Sequence, residues 1–581
     1  MPVTSSSLAR CIAGTALAAI LAASPIAASA QPHPADIEGL TAAGSYLAAR
    51  HASQMRDARA AAEFYRDALR RDPKNAELLT RAFLSLVIGG EIKNSVKFAE
   101  RVVHADKSDR VARLVLGVQA IKEKHYRAAR HDLAQSVHGP ITDLTGTLLT
   151  AWSMAGEHQV RGAVDKIEHL TGPEWYAIFK DLHAGMILDL AGHDKAAGKR
   201  LADAYKLDPT ALRVVQAYGS WLSRNKSPAE ALKVFEAFNK TLANHPLVVA
   251  AMNKLKAGKK LPPVIRSVSG GASEALYGLG ASLGRRGGED LGLVYLQLAL
   301  YLEPHHSLAL LSLADLYEAI KKPDLALKTY ERISKDSPLY RNAAIQMAAD
   351  LDALNRPQEA KKQLEGVLKK DPHDVEAIMA LGNVLRGHKE FAKCADVYSK
   401  AIDTLKSPDK SNWVMFYFRG ICYERSNQWP KAEADLQQAL KLYPDQPHVL
   451  NYLGYSWIDK GIHLDEGMAM IKKAVQQRPD DGYIVDSLGW AYYKLGKYDE
   501  AVKQLQHAIE LKPEDPTIND HLGDALWRVG RKLEARFQWV HARDMKPDPE
   551  ELAKIEAKLK NGLPEEKSSQ AQPPKKTGDG G

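Results

Sequence analysis

Few side chains in this sequence stand at spacings that chemistry demands. His305 and His306 are adjacent, but a metal site needs further ligands at matched spacing, and the pair simply follows Pro304 in a turn. Gly278, Gly280 and Gly284 approach a dinucleotide-binding loop, yet the last interval is wrong and no strand precedes them. The chain has no G-x-x-x-x-G-K-[ST] loop to wrap phosphates, no H-E-x-x-H, no G-x-S-x-G elbow and no paired C-x-x-C. Carboxylates are numerous and single out no acid–base pair. The sequence therefore predicts no catalytic residue, no metal and no cofactor.

What the residue types do support is recognition. Near the carboxy terminus, aromatics and carboxylates recur at intervals of three and four, which places them on one face of a helix. His448, Asn451, Tyr455 and Ile458 form one set; Tyr483, Asp486, Trp490 and Tyr493 a second; Thr517, Asp520, Asp524 and Trp527 a third. Exposed aromatics contribute large contact area at small entropic cost, so Asn451, Tyr455, Tyr483, Asp486, Trp490, Tyr493, Asp520, Asp524 and Trp527 are expected to line a partner-binding groove. The alternative for Trp490 and Trp527 is that they buttress neighbouring helices.

The elements that position these residues follow from a repeat. Gly489, Tyr492, Gly496, Tyr498, Ala501, Leu505, Ala508 and Pro513 recur one period later as Gly523, Leu526, Gly530, Ala535, Trp539, Ala542 and Pro547, and earlier as sets beginning at Gly454 and Gly420. Pro304, Pro338 and Pro372 keep the same period of 34 residues. Glycine and alanine at these positions let two antiparallel helices cross closely, bulky residues fill the flanks, and proline closes each unit. About six units precede residue 250 and eight lie between 273 and 549.

In this pattern Val485, Leu488, Gly489, Tyr492, Ala501, Leu505, Ala508 and Pro513 match the tetratricopeptide motif, with Val for Trp and Leu for Phe. The chain resembles a tetratricopeptide-repeat protein, which implies an all-α solenoid: a right-handed superhelix of helix-turn-helix units whose first helices line a concave wall. The expected organisation is a signal peptide over 1–30, a degenerate amino-terminal array over 31–256, a linker over 257–272, a second array over 273–549, a capping helix over 550–561 and a disordered tail over 562–581.

The leader has Arg10, an apolar run broken by Pro25, and Ala28-Ser29-Ala30 before Gln31, the layout of a cleaved secretory signal. No later stretch approaches the roughly 20 apolar residues of a membrane span. Cys11 precedes the apolar run and so is badly placed for lipidation. Cys394 and Cys422 remain after cleavage, too few for a disulfide framework; both fall at core spacing and read first as small buried hydrophobes, with a bridge between neighbouring helices as the alternative. The chain carries a net +8, with residues 31 to 260 contributing about +9. That excess is small and interspersed, favouring a solvated surface first, and otherwise anionic envelope polymers, lipids or an acidic partner over nucleic acid.

The motifs N-x-L-G-Y (Asn451 to Tyr455), D-S-L-G-W (Asp486 to Trp490) and H-L-G-D-x-L-W (His521 to Trp527) resemble a narrower group of exported bacterial repeat proteins. Its type is the outer-membrane lipoprotein that binds and activates a carboxy-terminal processing protease and delivers substrates to it. The resemblance implies a non-catalytic periplasmic adaptor whose partners are a serine protease and its substrates. Homo-oligomers are open to the chain separately, since solenoid ends readily pair. The alternative from a different class is a structural scaffold for an envelope polysaccharide secretion machine.

Overall fold

The computed structural model describes residues 41–136, 138–284 and 287–564. The signal peptide expected over 1–30, and the tail beyond 564, lie outside them. Thirty α-helices, from α1 (Ala42–Gln54) to α30 (Pro549–Asn561), and no strand occur among the described residues. None of these helices is long and apolar enough to cross a membrane.

Local chemistry sets the helix ends. Asp57 caps α2 (Ala58–Arg71) by accepting from the Ala60 amide at 3.0 Å, and Asn75 caps α3 (Ala76–Ile88) through Leu78 at 3.1 Å. At the other end, Gly496 closes α26 (Gly482–Lys494) with φ +70°, a backbone conformation that side chains disfavour.

Within each unit the small residues stand where the helices touch. A Cβ on Gly489 of α26 would lie 2.6 Å from Leu505 of α27 (Tyr498–Leu511), and one on Gly523 of α28 (Pro516–Arg528) 2.5 Å from the Trp539 ring of α29 (Lys532–Asp544). One on Gly454 of α24 (Pro447–Asp459) would lie 2.7 Å from the Gly467 carbonyl of α25 (Leu464–Gln477), so these two backbones meet directly. Gly420 packs likewise on Leu436 at 3.1 Å. Ala501, Ala508, Ala535 and Ala542 are fully buried. Pro513 and Pro547 stand in the turns that follow α27 and α29.

The described residues form two compact units, one ending at Ala380 and the other beginning at Leu381. The sequence expectation put the boundary between arrays at the 257–272 linker. The chain divides elsewhere because that segment is packed: Leu261 and Ile265 are buried, Ser220 Oγ donates to the Pro262 carbonyl at 2.6 Å, and Ser223 Oγ accepts from the Leu261 amide at 2.9 Å. Helix already resumes at Val268.

In the first unit, six helix pairs are followed by a single helix, α13 (Pro246–Lys256), and the linker. The chain then sends α14 (Val268–Gly284) and α15 (Glu289–Leu302) back against the first helices of earlier pairs: α3, α5 (Arg110–Lys122), α7 (Pro140–Gly156) and α9 (Tyr176–Leu190). This is the wall that such repeats turn inward. Glycine permits the approach, since a Cβ on Gly271 would stand 2.3 Å from the Trp152 indole. Polar contacts fix the register: Thr145 Oγ1 and Tyr295 OH at 3.0 Å, Lys122 Nζ donating to the Leu302 carbonyl at 2.9 Å, and Tyr301 OH donating to Gln119.

A buried ion pair locks α14 in place. Arg213 of α11 (Leu212–Asn225) donates from Nε to Glu274 Oε1 at 2.7 Å, and His306 Nε2 lies 3.0 Å from Glu274 Oε2. His306 Nδ1 accepts from the Ala309 amide, so Nε2 carries the hydrogen given to Glu274. Burial alone would raise the Glu274 pKa, but the Arg213 charge and these hydrogen bonds outweigh it and hold the carboxyl far below its usual range. His183, which accepts from Trp152 Nε1 at 3.1 Å, is pushed down to about 4 by burial.

In the second unit, Cys394 of α21 (Phe391–Ile402) and Cys422 of α22 (Trp413–Arg425) form a disulfide, with Cα atoms 6.0 Å apart. The reading of these cysteines as separate buried hydrophobes is therefore corrected: the core spacing that buries each also brings them side by side. Lys389 and Asp548, far apart in sequence, pair at 2.7 Å.

Candidate interaction surface

The nine expected groove residues sit on α24, α26 and α28, the first helices of the last three pairs, and the structure sorts them into two groups. On α24, Asn451 Nδ2 donates to Ser487 Oγ at 3.0 Å, bridging to α26, while its buried Oδ1 has no partner among the described residues. Tyr455 is half-buried, with its phenol pKa raised by burial and by the charges of Asp459, Asp486 and Glu424.

On α26, Trp490 is the middle of a three-ring stack. His521 lies 3.9 Å from it at 17° and Tyr493 4.6 Å at 10°. His521 Nδ1 donates to both Asp486 oxygens, at 2.9 and 3.1 Å. Burial disfavours the imidazolium, but the Asp486 charge and hydrogen bond, with Asp520 and Asp524, reverse the balance and raise its pKa. A cationic ring on an indole face adds a cation–π contribution. Asp486 is consequently buried beneath the stack rather than exposed in a groove, correcting the sequence expectation. Trp490, Tyr493 and Tyr483 keep half-buried faces, and Lys512 Nζ lies 5.6 Å over the Tyr483 ring.

On α28 the expected groove residues are covered by the chain itself. Lys558 of α30 donates to Asp520 and Asp524 at 2.7 Å each, and Asp524 is buried while accepting from Trp539 Nε1 at 2.9 Å. Trp527 packs on Trp539 at 5.2 Å, and a Cβ on Gly562 would stand 2.2 Å from its ring. Leu563 joins the same core cluster, and the Pro564 carbonyl accepts from Arg528 at 2.8 Å. Asp520, Asp524 and Trp527 are thus corrected from groove lining to seat of the terminal helix. The start of the expected disordered tail, 562–564, belongs to that seat.

Sequence reasoning did not include His521 in the surface. Its signal was a histidine 35 residues beyond Asp486, one position past a full repeat, on the adjoining first helix, where stacked first helices place it opposite the carboxylate. Among the described residues no serine, threonine or cysteine hydrogen-bonds His521, so the Asp486–His521 pair lacks the nucleophile of a hydrolytic triad. No group of three potential metal ligands is found among them either. The arrangement offers an aromatic face for contact.

Family models match four segments: "TPR repeat" over residues 489–530, and "Tetratricopeptide repeat" over 415–446, 345–409 and 308–339. A TPR repeat-containing protein of Pseudomonas aeruginosa is 27% identical over 187 residues, 32% of this chain and 31% of that protein. BBSome complex member BBS4 of Bos taurus is 28% identical over 144 residues, 20% of this chain and 27% of that protein. The chain thus covers under a third of the length of these curated relatives. Among solved structures, a tetratricopeptide repeat protein from Parabacteroides merdae gives a TM-score of 0.37 at 15% identity, covering 43% of this chain and 96% of that one. The Cut9–Hcn1 assembly gives 0.36 at 13%, covering 91% and 98%. Neither score supports an argument about this chain's geometry. Helix pairs crossing at glycine and alanine, together with the four matched segments, establish that the chain carries tetratricopeptide repeats within an all-α repeat solenoid.

Proposed function

We propose that this protein is an exported, non-catalytic adaptor that holds a protein segment on the aromatic wall of α24 and α26 and presents it to a periplasmic processing protease. Tetratricopeptide repeats indicate a protein–protein interaction scaffold. The observation that carries the finer reading is the Trp490 stack: the half-exposed faces of Tyr455, Tyr483, Trp490 and Tyr493 stand on one wall, held rigid by the buried Asp486–His521 pair. The first unit's corresponding wall is covered by α14 and α15, and the last first helix by α30.

Export is supported by the leader and by the Cys394–Cys422 disulfide, a bond that persists in oxidising compartments. The protease is supported by the resemblance of the Asn451, Asp486 and His521 motifs. Affinity capture from the native envelope, with wild type and Trp490→Ala side by side, tests the proposal. A serine protease recovered by wild type and depleted at least tenfold by Trp490→Ala supports it; polysaccharide-export components recovered instead would support the scaffold alternative and overturn the adaptor reading.

A further inference from the structure

The first unit contains a cavity of about 340 Å³, at the lower end of the size of small-ligand pockets. The turn before α2, the end of α3, α15, α16 (Ser307–Ala319) and α17 (Pro323–Tyr330) enclose it, far in sequence from the wall assigned to protein partners. Its polar lining is unbalanced: Arg56, Arg59, Lys328 and Arg332 face only Asp57 and Asp290. Asp290 is taken by Arg56 at 3.7 Å, Asp57 by the α2 cap, and Lys328 pairs with Asp324 of α17 at 4.0 Å, which leaves the two other arginines. Arg59 has no ion pair or hydrogen bond among the described residues, and Arg332 has only the Pro304 carbonyl, at 3.3 Å.

At the floor stands Tyr317, 7% exposed. Its oxygen accepts from Gln297 Nε2 at 2.9 Å, and that amide's other hydrogen goes to the Ile88 carbonyl, which fixes the amide's orientation. The phenolic hydrogen therefore has no acceptor among the described residues. Burial pushes the Tyr317 pKa up to about 12, so the hydroxyl keeps that hydrogen, while Arg59 and Arg332, and with opposite sign Asp324, lie close enough to act on it electrostatically. A buried donor and two guanidiniums without ion pairs face a space whose wall mixes aliphatic side chains, Ile88, Leu293 and Leu313 among them, with the hydroxyls of Ser53, Ser85 and Thr329.

We infer that this cavity binds a small organic carboxylate with an apolar body, its oxygens taken by the Tyr317 hydroxyl and the Arg59 and Arg332 guanidiniums and its body resting on Leu293 and Leu313. Arginine suits this role because its planar fork matches a carboxylate. The site is independent of the protein-binding wall, and either can fail alone.

Isothermal titration of the full chain with N-acetyl-leucine and with the uncharged N-acetyl-leucinamide tests the inference. The acid should bind at least tenfold more tightly than the amide. Arg59→Gln and Arg332→Gln together should abolish that preference with unchanged helicity and melting temperature, since both arginines are exposed, and Tyr317→Phe, which removes a buried oxygen, should weaken the acid about fivefold while leaving amide binding unchanged. Inorganic phosphate serves as the comparison anion. Equal binding of acid and amide, no binding of the acid at millimolar concentration, tighter binding of phosphate than of the acid, or an acid preference surviving the double arginine substitution would each overturn the assignment.

Discussion

The imidazole of His521 lies face to face on the indole of Trp490, 3.9 Å away, though the two residues belong to successive repeats. Asp486, on the same helix as Trp490, fixes the ring by accepting its Nδ1 hydrogen. One carboxylate thus orients an aromatic platform that two helices share.

That pairing makes a titration prediction. The folded pKa of His521 is raised above its unfolded value, so its stabilisation is fully present below about pH 6.5 and is lost as pH rises through the folded pKa. Imidazole NMR should place its midpoint above 6.5. Asp486→Asn should bring the midpoint below that of wild type and cost about 1–3 kcal/mol of stability.

Trp490 and Trp527 both stand on first helices of the last pairs but should respond differently. Trp490→Ala loses one stacked face and should cost about 1–2 kcal/mol, with partner binding strongly reduced. Trp527→Ala empties the seat beneath Gly562 and Leu563 and should cost about 3 kcal/mol or more. Denaturation curves of the two variants should separate accordingly.

The first unit should weaken in acid. His183 has its folded pKa lowered to about 4, so between about pH 6.5 and 4 the unfolded chain takes a proton that the fold refuses, and up to about 3 kcal/mol is lost as pH falls. Glu274 acts in the same direction: its depressed pKa contributes stability above the unfolded carboxylate value, and that contribution disappears as pH falls toward the folded one. His183→Gln should flatten the dependence of stability on pH between 7 and 4.5. Glu274→Ala should cost about 3–5 kcal/mol at neutral pH by leaving Arg213 unpaired.

Reduction of the Cys394–Cys422 bridge, whose ends lie 28 residues apart, should destabilise the second unit by about 3.5 kcal/mol in the chain-entropy account. Hydrogen exchange should quicken around α21 and α22 under reducing conditions and stay unchanged around α14 and α15.

The repeat was legible because its packing positions admit few residue types: Gly489 must yield to Leu505, and Ala501 and Ala508 are fully buried. The return of α14 and α15 was not, because their helices obey the same repeat grammar wherever they dock. Only the glycines at 270 and 271, one of them pressed against Trp152, carried a trace of it. The candidate surface was half legible. Helical spacing put Trp490, Tyr493, Tyr483 and Tyr455 on one wall, but it could not show that Lys558 returns to claim Asp520 and Asp524. Such contacts across 34 or more residues depend on tertiary position and leave no local period.

If partners meet the α24–α26 wall, the lysines beside it should record them. Lysine-directed crosslinking mass spectrometry of the protein in its native extract tests that contact most directly, because exposed Lys460, Lys494 and Lys512 flank that wall. The account predicts partner crosslinks concentrated at these three lysines and lost in Trp490→Ala. Partner crosslinks concentrated on first-unit lysines and unchanged in Trp490→Ala would contradict it.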